Sequence, residues 1–177
     1  MRRLVLLAPA LAVFAGCSAP AQPAPPPSGQ PSTSASAAAP ALPPDPEPGE
    51  TGTCPYLKTD FVADANGQKV SKVRLSADSP HPACFFYGLD GKLQLTARVY
   101  VGEPTVATAL VNKAAPVDTS NPADEPSGWK GGYQPTGDGG AVYAVAKGNA
   151  AVVVTTNQKQ SVKARTVTTK AIATLKL

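Results

Sequence analysis

Proline distribution divides the chain into a part that cannot form a core and a part that can. Eleven of the twenty prolines lie in residues 18 to 50, where no aromatic residue and no Lys or Arg occurs. Such a segment buries too little apolar surface to offset the entropy of ordering it, so it predicts a disordered linker with polyproline II bias. The folded part is therefore predicted over residues 51 to 177, which is enough for one domain.

The start of the chain has the layout of an export signal. Two arginines precede an apolar run, residues 4 to 14, that is too short to span a bilayer as a mature helix. Small residues then lead to Cys17 in a segment that resembles a bacterial lipobox, where the cysteine sulfur receives diacylglycerol. This interpretation makes residues 1 to 16 a signal peptide and residues 17 to 50 a linker anchored by lipid to the extracytoplasmic face of the cell membrane. The alternative is an ordinary signal peptide, with Cys17 an incidental thiol.

The two remaining cysteines, Cys54 and Cys84, form a pair in a chain with an export signal. An exported pair is most simply a disulfide, which would stabilise a fold by roughly 3 to 4 kcal/mol for a loop of this length. A metal site is the alternative, but two cysteines and the single histidine, His81, fall short of four ligands at a recognised spacing. We therefore expect no metal and no cofactor.

Charge is concentrated at the C-terminal end of the predicted domain. Residues 51 to 177 carry fourteen Lys and Arg against nine Asp and Glu, and beyond residue 140 there are six basic residues and no acidic one. These six are Lys147, Lys159, Lys163, Arg165, Lys170 and Lys176. They predict either a solvated face or a surface that attracts an anionic lipid or envelope polymer. Nucleic acid is not an expected partner, because an exported domain without a nucleic-acid-binding motif has no reason to meet it.

Hydrophobic periodicity predicts an α+β domain with an antiparallel sheet of about five strands packed by helices, a C-terminal helix and one disulfide. The predicted helices cover about 55–65, 106–114 and 161 onward, and the predicted strands cover 70–77, 83–87, 93–101, 141–146 and 151–156. Asp90-Gly91 and residues 147–150 are hairpin signals, so the strands beside them should pair antiparallel. Residues 116 to 139 show no periodicity and predict a long loop.

Several segments of the domain resemble a known family. They are CPYL, SPHPACFFY, LTARVYVGEPTVATALV, APVDTSNPA and VVVTTNQ, and they are similar to the actinobacterial envelope lipoproteins catalogued as domain of unknown function 2020. The topology also resembles the wider group related to PsbP and LpqN, in which helices pack an antiparallel sheet and the chain ends in a helix. Because those relatives mostly bind partners or lack an assigned activity, the resemblance implies a fold and, more weakly, a binding role.

Catalytic motifs are absent from the sequence, which has no G-x-S-x-G, H-E-x-x-H, Walker loop or S-x-x-K. No catalytic residue is therefore assigned. His81, held between two prolines, and the acidic loop of residues 118 to 125 keep a hydrolase or transferase of an unrecognised class open as the alternative function. Their ordinary interpretations are a surface histidine beside a disulfide and a capped turn, although the loop's oxygens could also ligate calcium.

The segment SGWKGGYQPTGDGG is the most informative one for binding. It holds the only tryptophan, Trp129, together with Lys130 and Tyr133 among glycines. Aromatic rings on such backbone are common at binding surfaces, so these three residues are the candidate partner surface. The alternative is that Trp129 packs back over one sheet face as a lid. Together with the linker and the missing motifs, the segment predicts a non-catalytic envelope module that binds a protein, lipid or polymer, in an unspecified oligomeric state.

Overall fold

The computed structural model describes residues 40 to 177. The predicted signal peptide, the lipidation of Cys17 and most of the predicted linker lie outside the described residues. Among the residues that are described, no helix has both the length and the apolar character needed to cross a membrane.

Three helices form where periodicity predicts them, and the last one ends the chain as expected. They are α1 (Thr59–Asn66), α2 (Pro104–Ala114) and α3 (Ser161–Leu175). Helix α1 ends at Gly67, which takes the left-handed conformation that glycine adopts most easily. Helix α2 begins with Pro104, whose missing N–H is not needed in a first turn.

The sheet has seven strands, not about five, and all of its pairings are antiparallel. The strands are β1 (Val70–Leu75), β2 (Cys84–Gly88), β3 (Leu93–Val101), β4 (Asn121–Glu125), β5 (Trp129–Pro135), β6 (Ala141–Lys147) and β7 (Ala150–Thr156). Their spatial order is β1-β2-β3-β7-β6-β5-β4. Two meanders, β1 to β3 and β4 to β7, therefore meet where β3 pairs with β7, and α2 is the crossover between them.

The two additional strands, β4 and β5, lie within residues 116 to 139. The prediction of a long loop there is therefore wrong. Pro122 interrupts the strand pattern of β4, but a proline is tolerated there because β4 is an edge strand. The glycines of β5 serve close packing: a Cβ on Gly131 would lie 2.0 Å from the carbonyl oxygen of Ala144, and one on Gly132 would lie 2.3 Å from Ser120 Oγ. The glycines and the proline that indicated a loop in the sequence thus lie in the closely packed strands β4 and β5.

The sheet separates two apolar layers. The larger core lies on the face packed by α1 and α3, and successive residues along a strand alternate between this face and the opposite one, except at the register shifts in the β1–β2 and β2–β3 pairs. The smaller core lies under α2 and consists of Ala107, Val111, Ala115, Ala144 and Ala151. Helix α2 contacts β5, β6 and β7, which leaves the same face of β2 and β3 free of helix.

The predicted disulfide is confirmed. Cys54, in the segment before α1, bonds to Cys84, the first residue of β2, and the two Cα atoms are 5.7 Å apart. Both cysteines are buried in the larger core. The bond therefore fixes the entry of the chain into the domain against the second strand of the sheet.

Candidate functional site

The part of the sheet that α2 leaves uncovered forms the floor of a groove of about 370 Å³. Its lining residues are Asp45, Pro46, Phe85, Thr96, Arg98, Leu110, Lys113, Ala114, Val153 and Thr155. The floor follows the register of three neighbouring strands, because Thr96 of β3 lies opposite Phe85 of β2 on one side and Thr155 of β7 on the other. Helix α2 supplies one wall. A volume of this size lies in the range of small-molecule sites.

The groove combines an apolar body with two cations. Phe85 and Leu110 are almost fully buried in it. Arg98 extends from β3 on the face away from the larger core, and Lys113 extends from the last turn of α2. The Arg98 side chain is only 11% exposed, whereas that of Lys113 is 48% exposed. The groove can therefore hold an apolar group and an acidic group together.

Residues 44 to 50, which we call the strap, cross this face of the sheet. The carbonyl oxygen of Pro44 accepts a hydrogen bond from Arg98 Nη2 at 2.8 Å. The carboxylate of Asp45 accepts hydrogen bonds from Lys113 Nζ at 2.7 and 2.8 Å and lies 3.6 Å from Arg98 Nη1. The single carboxylate of Asp45 thus meets both cations of the groove.

The other end of the strap pairs with the edge strand β1. Gly49 N donates to Leu75 O and Leu75 N donates to Glu50 O, both at 2.8 Å, while Arg74 Nε donates to Gly49 O. The strap belongs to the segment predicted as linker over residues 17 to 50. The end of that segment therefore lies on the domain, and its proline-rich sequence carries no periodicity that could have predicted the contact.

Electrostatics favour the ionised form of Asp45. The hydrogen bond from Lys113 and the charges of Lys113 and Arg98 hold the pKa of Asp45 below its ordinary value, against a smaller opposing effect of burial. Because the pKa is lowered in the folded protein, this contact stabilises the strap above the ordinary Asp pKa and is lost as pH falls through the lowered one. Exposed ion pairs contribute about 0 to 1 kcal/mol, so the contact holds the strap only weakly.

The three residues of the candidate partner surface do not form one surface. Trp129 is 1% exposed and belongs to the larger core, contrary to its predicted role as a surface contact. Lys130 is exposed on the opposite face and pairs with Asp124, because neighbouring residues of a strand point to opposite sides. Tyr133 is half-buried and stacks on Tyr143, with ring centroids 6.0 Å apart. The lid interpretation of Trp129 is the correct one.

His81 and the acidic loop are far from each other. The half-buried His81 ring lies edge-on to the Tyr56 ring, with centroids 6.4 Å apart, just before β2. The acidic residues lie around β4, five strand spacings or about 24 Å across the sheet from β2. The two features cannot act on one small substrate together. Across residues 40 to 177, no group of three or more His, Cys, Asp or Glu side chains is placed to hold a metal ion.

Glu125, the buried carboxylate of this region, makes contacts that hold elements of the fold together. It accepts hydrogen bonds from Tyr143 OH and from Arg165 Nε, both at 2.5 Å, and so ties β4 to β6 and α3. The Arg165 hydrogen bond holds the pKa of Glu125 below its ordinary value, and burial together with Glu125 raises the pKa of Tyr143. Both groups therefore keep their ordinary protonation states at neutral pH, which suits a structural link.

Most of the C-terminal basic residues also contact the domain itself. Lys163 Nζ donates to the carbonyl oxygen of Asn66 at 2.9 Å. Lys170 Nζ lies 5.6 Å from the ring centroid of Phe61, and Lys147 Nζ lies 5.2 Å from that of Trp129. With Arg165, four of the six basic residues therefore stabilise the fold through internal contacts.

Comparison with known proteins identifies one family. The sequence profile described as Domain of unknown function (DUF2020) matches residues 37–177. The matched range begins before the strap, so the strap falls within the family's domain. No curated protein matches the chain.

Proposed function

The chain belongs to the DUF2020 family. From this premise we propose that it is a non-catalytic binding module of the cell envelope that is anchored through Cys17. We propose that its ligand is a lipid, which binds in the groove beside α2. The observation that carries the proposal is the groove itself, in which buried Phe85 and Leu110 lie next to Arg98 and Lys113. An apolar channel with a cationic end matches the two parts of a lipid with an acidic head group. A protein or polymer ligand would need a longer or flatter surface.

Two observations support the envelope as the location. The Cys54–Cys84 disulfide is typical of proteins that work in an oxidising compartment. The segment before Cys17 resembles a lipobox, which supports the relation to actinobacterial lipoproteins, and the helix-packed antiparallel sheet supports the relation to the PsbP and LpqN group. No observation in the described residues favours the hydrolase or transferase alternative.

A substitution that fills the groove is the direct test of the binding site. In a protein comprising residues 18 to 177, Ala114→Trp places a large ring in the groove from the α2 wall. We expect the affinity for a neutral solvatochromic dye such as Nile red to fall by roughly tenfold or more, because the ring excludes the ligand. A fluorescence titration measures the effect.

The matched control is Asn112→Trp, which adds the same ring to α2 at an exposed position that does not line the groove. We expect its affinity for the dye to stay within about twofold of the wild type, since the groove is unchanged. Equal loss in both variants, or dye binding that survives Ala114→Trp, would place the apolar site elsewhere.

The anchor requires a separate test. We expect Cys17→Ser to leave the precursor unlipidated and to abolish incorporation of a fatty-acid analogue in metabolic labelling, because the thioether to diacylglycerol cannot form. The Cys54→Ala/Cys84→Ala double variant is the control for loss of thiols in general and should still take up label, because Cys17 is unchanged. Labelling of the Cys17→Ser protein at the wild-type level would contradict the proposed anchor.

A further inference from the structure

We propose that the groove selects a long-chain carboxylic acid, whose carboxylate replaces that of Asp45 between Arg98 and Lys113 and displaces the strap. This inference rests on the proposed function and names its ligand class. In this view the strap is an internal competitor that occupies the cationic end of the groove when no ligand is bound.

The first argument is the chemistry of the group already held there. Two cations from different elements, β3 and α2, converge on one carboxylate, with Lys113 Nζ 2.7 Å and Arg98 Nη1 3.6 Å from Asp45 Oδ1. Geometry of this kind suits a second carboxylate as well as the first. The acid of a fatty acid stands at the end of an apolar chain, and the apolar floor of the groove begins beside the same two cations.

The second argument is the burial of Arg98. Its side chain is 11% exposed, and its partners among the described residues are Pro44 O and Asp45, which both belong to the strap. The strap itself contributes to this burial, so a neutral ligand that took the place of the strap over Arg98 would leave the guanidinium covered and without an acceptor, which is costly. An acidic ligand supplies the missing acceptor. The groove therefore discriminates between charged and neutral amphiphiles, and the discrimination depends on Arg98.

The third argument is that the strap can leave. Three of its seven residues are proline, and the backbone of residues 45 to 48 makes no hydrogen bond to other described backbone. The Asp45 side chain is 71% exposed, so water competes for its ion pairs. By contrast, residues 49 and 50 are bonded to β1. The strap thus has a fixed end at β1 and a releasable end at the groove.

An internal competitor lowers the apparent affinity by the fraction of molecules in which the site is free. Asp45→Asn in residues 18 to 177 removes the competing charge, and this protein retains every residue that the structure describes, including the whole sheet and the disulfide. We expect Asp45→Asn to bind a fluorescent long-chain fatty acid about three- to tenfold more tightly than the wild type. The matching methyl ester has no carboxylate to place between the two cations, so it should bind the apolar part of the groove with the strap still in place. Its affinity should therefore change by less than about twofold.

Glu47→Gln is the matched control, because it removes the same charge from the same strap at a position without an ion pair among the described residues. It should leave both affinities unchanged. Lys113 also holds Asp45, so its charge is tested in the Asp45→Asn protein, where the strap ion pair is already absent. There, Lys113→Gln should weaken binding of the fatty acid about threefold or more and leave the ester unaffected. Lys113 is chosen instead of Arg98 because it is the more exposed of the two cations. Its substitution therefore tests the role of cationic charge in ligand binding with less disturbance of the fold than Arg98→Gln.

Several results would overturn the inference. Equal affinity for acid and ester, no gain from Asp45→Asn, or the same gain from Glu47→Gln would each do so. Tighter binding of a long-chain alkyl phosphate than of the fatty acid would overturn the assignment to a carboxylate. These outcomes differ from failure of the proposed function. If Nile red binding is insensitive to Ala114→Trp, the groove is not the binding site. If Ala114→Trp weakens Nile red binding but the protein does not prefer the acid to the ester, the groove is still the binding site and only the assignment of its ligand to carboxylic acids is wrong.

Discussion

Replacing Trp129 by alanine is expected to lower the free energy of unfolding by about 3 to 5 kcal/mol, the range for large aromatic residues removed from a core. The ring is 1% exposed and lies in the core between the sheet and α3. Removing it leaves a cavity on the side of β5 that faces α3, and it also removes the ring over which Lys147 lies at 5.2 Å. The melting temperature should fall by about 10 °C or more.

Trp129→Phe is the control that separates apolar packing from the polar part of the ring. The indole N–H of Trp129 finds no acceptor among the described residues, so its removal breaks no hydrogen bond and should cost no stability. Phenylalanine retains most of the apolar contact area. We therefore expect Trp129→Phe to lose less than half as much stability as Trp129→Ala.

Thermal and denaturant unfolding of residues 18 to 177 measure these differences, and Nile red titration under native conditions adds a second measurement. The Trp129→Ala protein that remains folded should bind the dye nearly as the wild type does, because the groove lies on the opposite face of the sheet. A melting temperature within about 2 °C of the wild type, together with weakened binding, would instead make Trp129 a surface contact.

The parts of the fold that periodicity predicts share one property: each buries a regular stripe of apolar side chains. Strand β3 alternates from Leu95 onward, and its alternate residues from Leu95 to Val101 pack on the larger core, whereas a register shift at its start leaves Leu93 exposed and Gln94 buried. The hairpin signal Asp90-Gly91 likewise joins strands that do pair antiparallel. Where burial imposes a period on the sequence, the sequence is enough to place the element.

The elements that were not predicted are placed by tertiary contacts. Strand β5 contains glycines because its neighbours approach too closely for a Cβ at Gly131 and Gly132, and the same glycines make its sequence resemble a loop. The side of the sheet to which Trp129 points depends on the strand register, which a loop assignment does not provide. Near this edge of the sheet, packing between strands therefore determines the secondary structure, although the local composition is typical of a loop.

The groove also depends on tertiary contacts that the local sequence does not indicate. Arg98, Lys113 and Asp45 are distant in sequence, and their meeting depends on the crossover by α2 and on the path of the strap. One signal was present: the proline-rich segment has no basic residue and carries its only acidic residues, Asp45, Glu47 and Glu50, next to a basic domain. Of these three, Asp45 forms ion pairs with the domain among the described residues, so the charge of the segment indicated an attraction to the domain but not the place of the contact.

Removing the disulfide is the second change with a large expected effect. In a Cys54→Ala/Cys84→Ala double variant we expect the free energy of unfolding to fall by about 3 to 4 kcal/mol, because the bond closes a loop between cysteines 30 residues apart and limits the unfolded chain. Alanine avoids burying an unpaired hydroxyl at Cys84, which is fully buried.

The denaturant slope tells this effect apart from simple loss of packing. Without the bond the unfolded chain expands and exposes more surface, so the slope m should rise in the double variant, whereas a packing defect alone leaves m unchanged. The wild type unfolded with a reductant present should reach the midpoint of the double variant, and the reductant should not change the variant itself. If the variant and the oxidised wild type unfold at the same denaturant concentration, the bond adds little to the stability of the domain. In that case the buried contacts of Tyr56 and Leu57, next to Cys54, must hold the entry segment against β2 and β3 on their own.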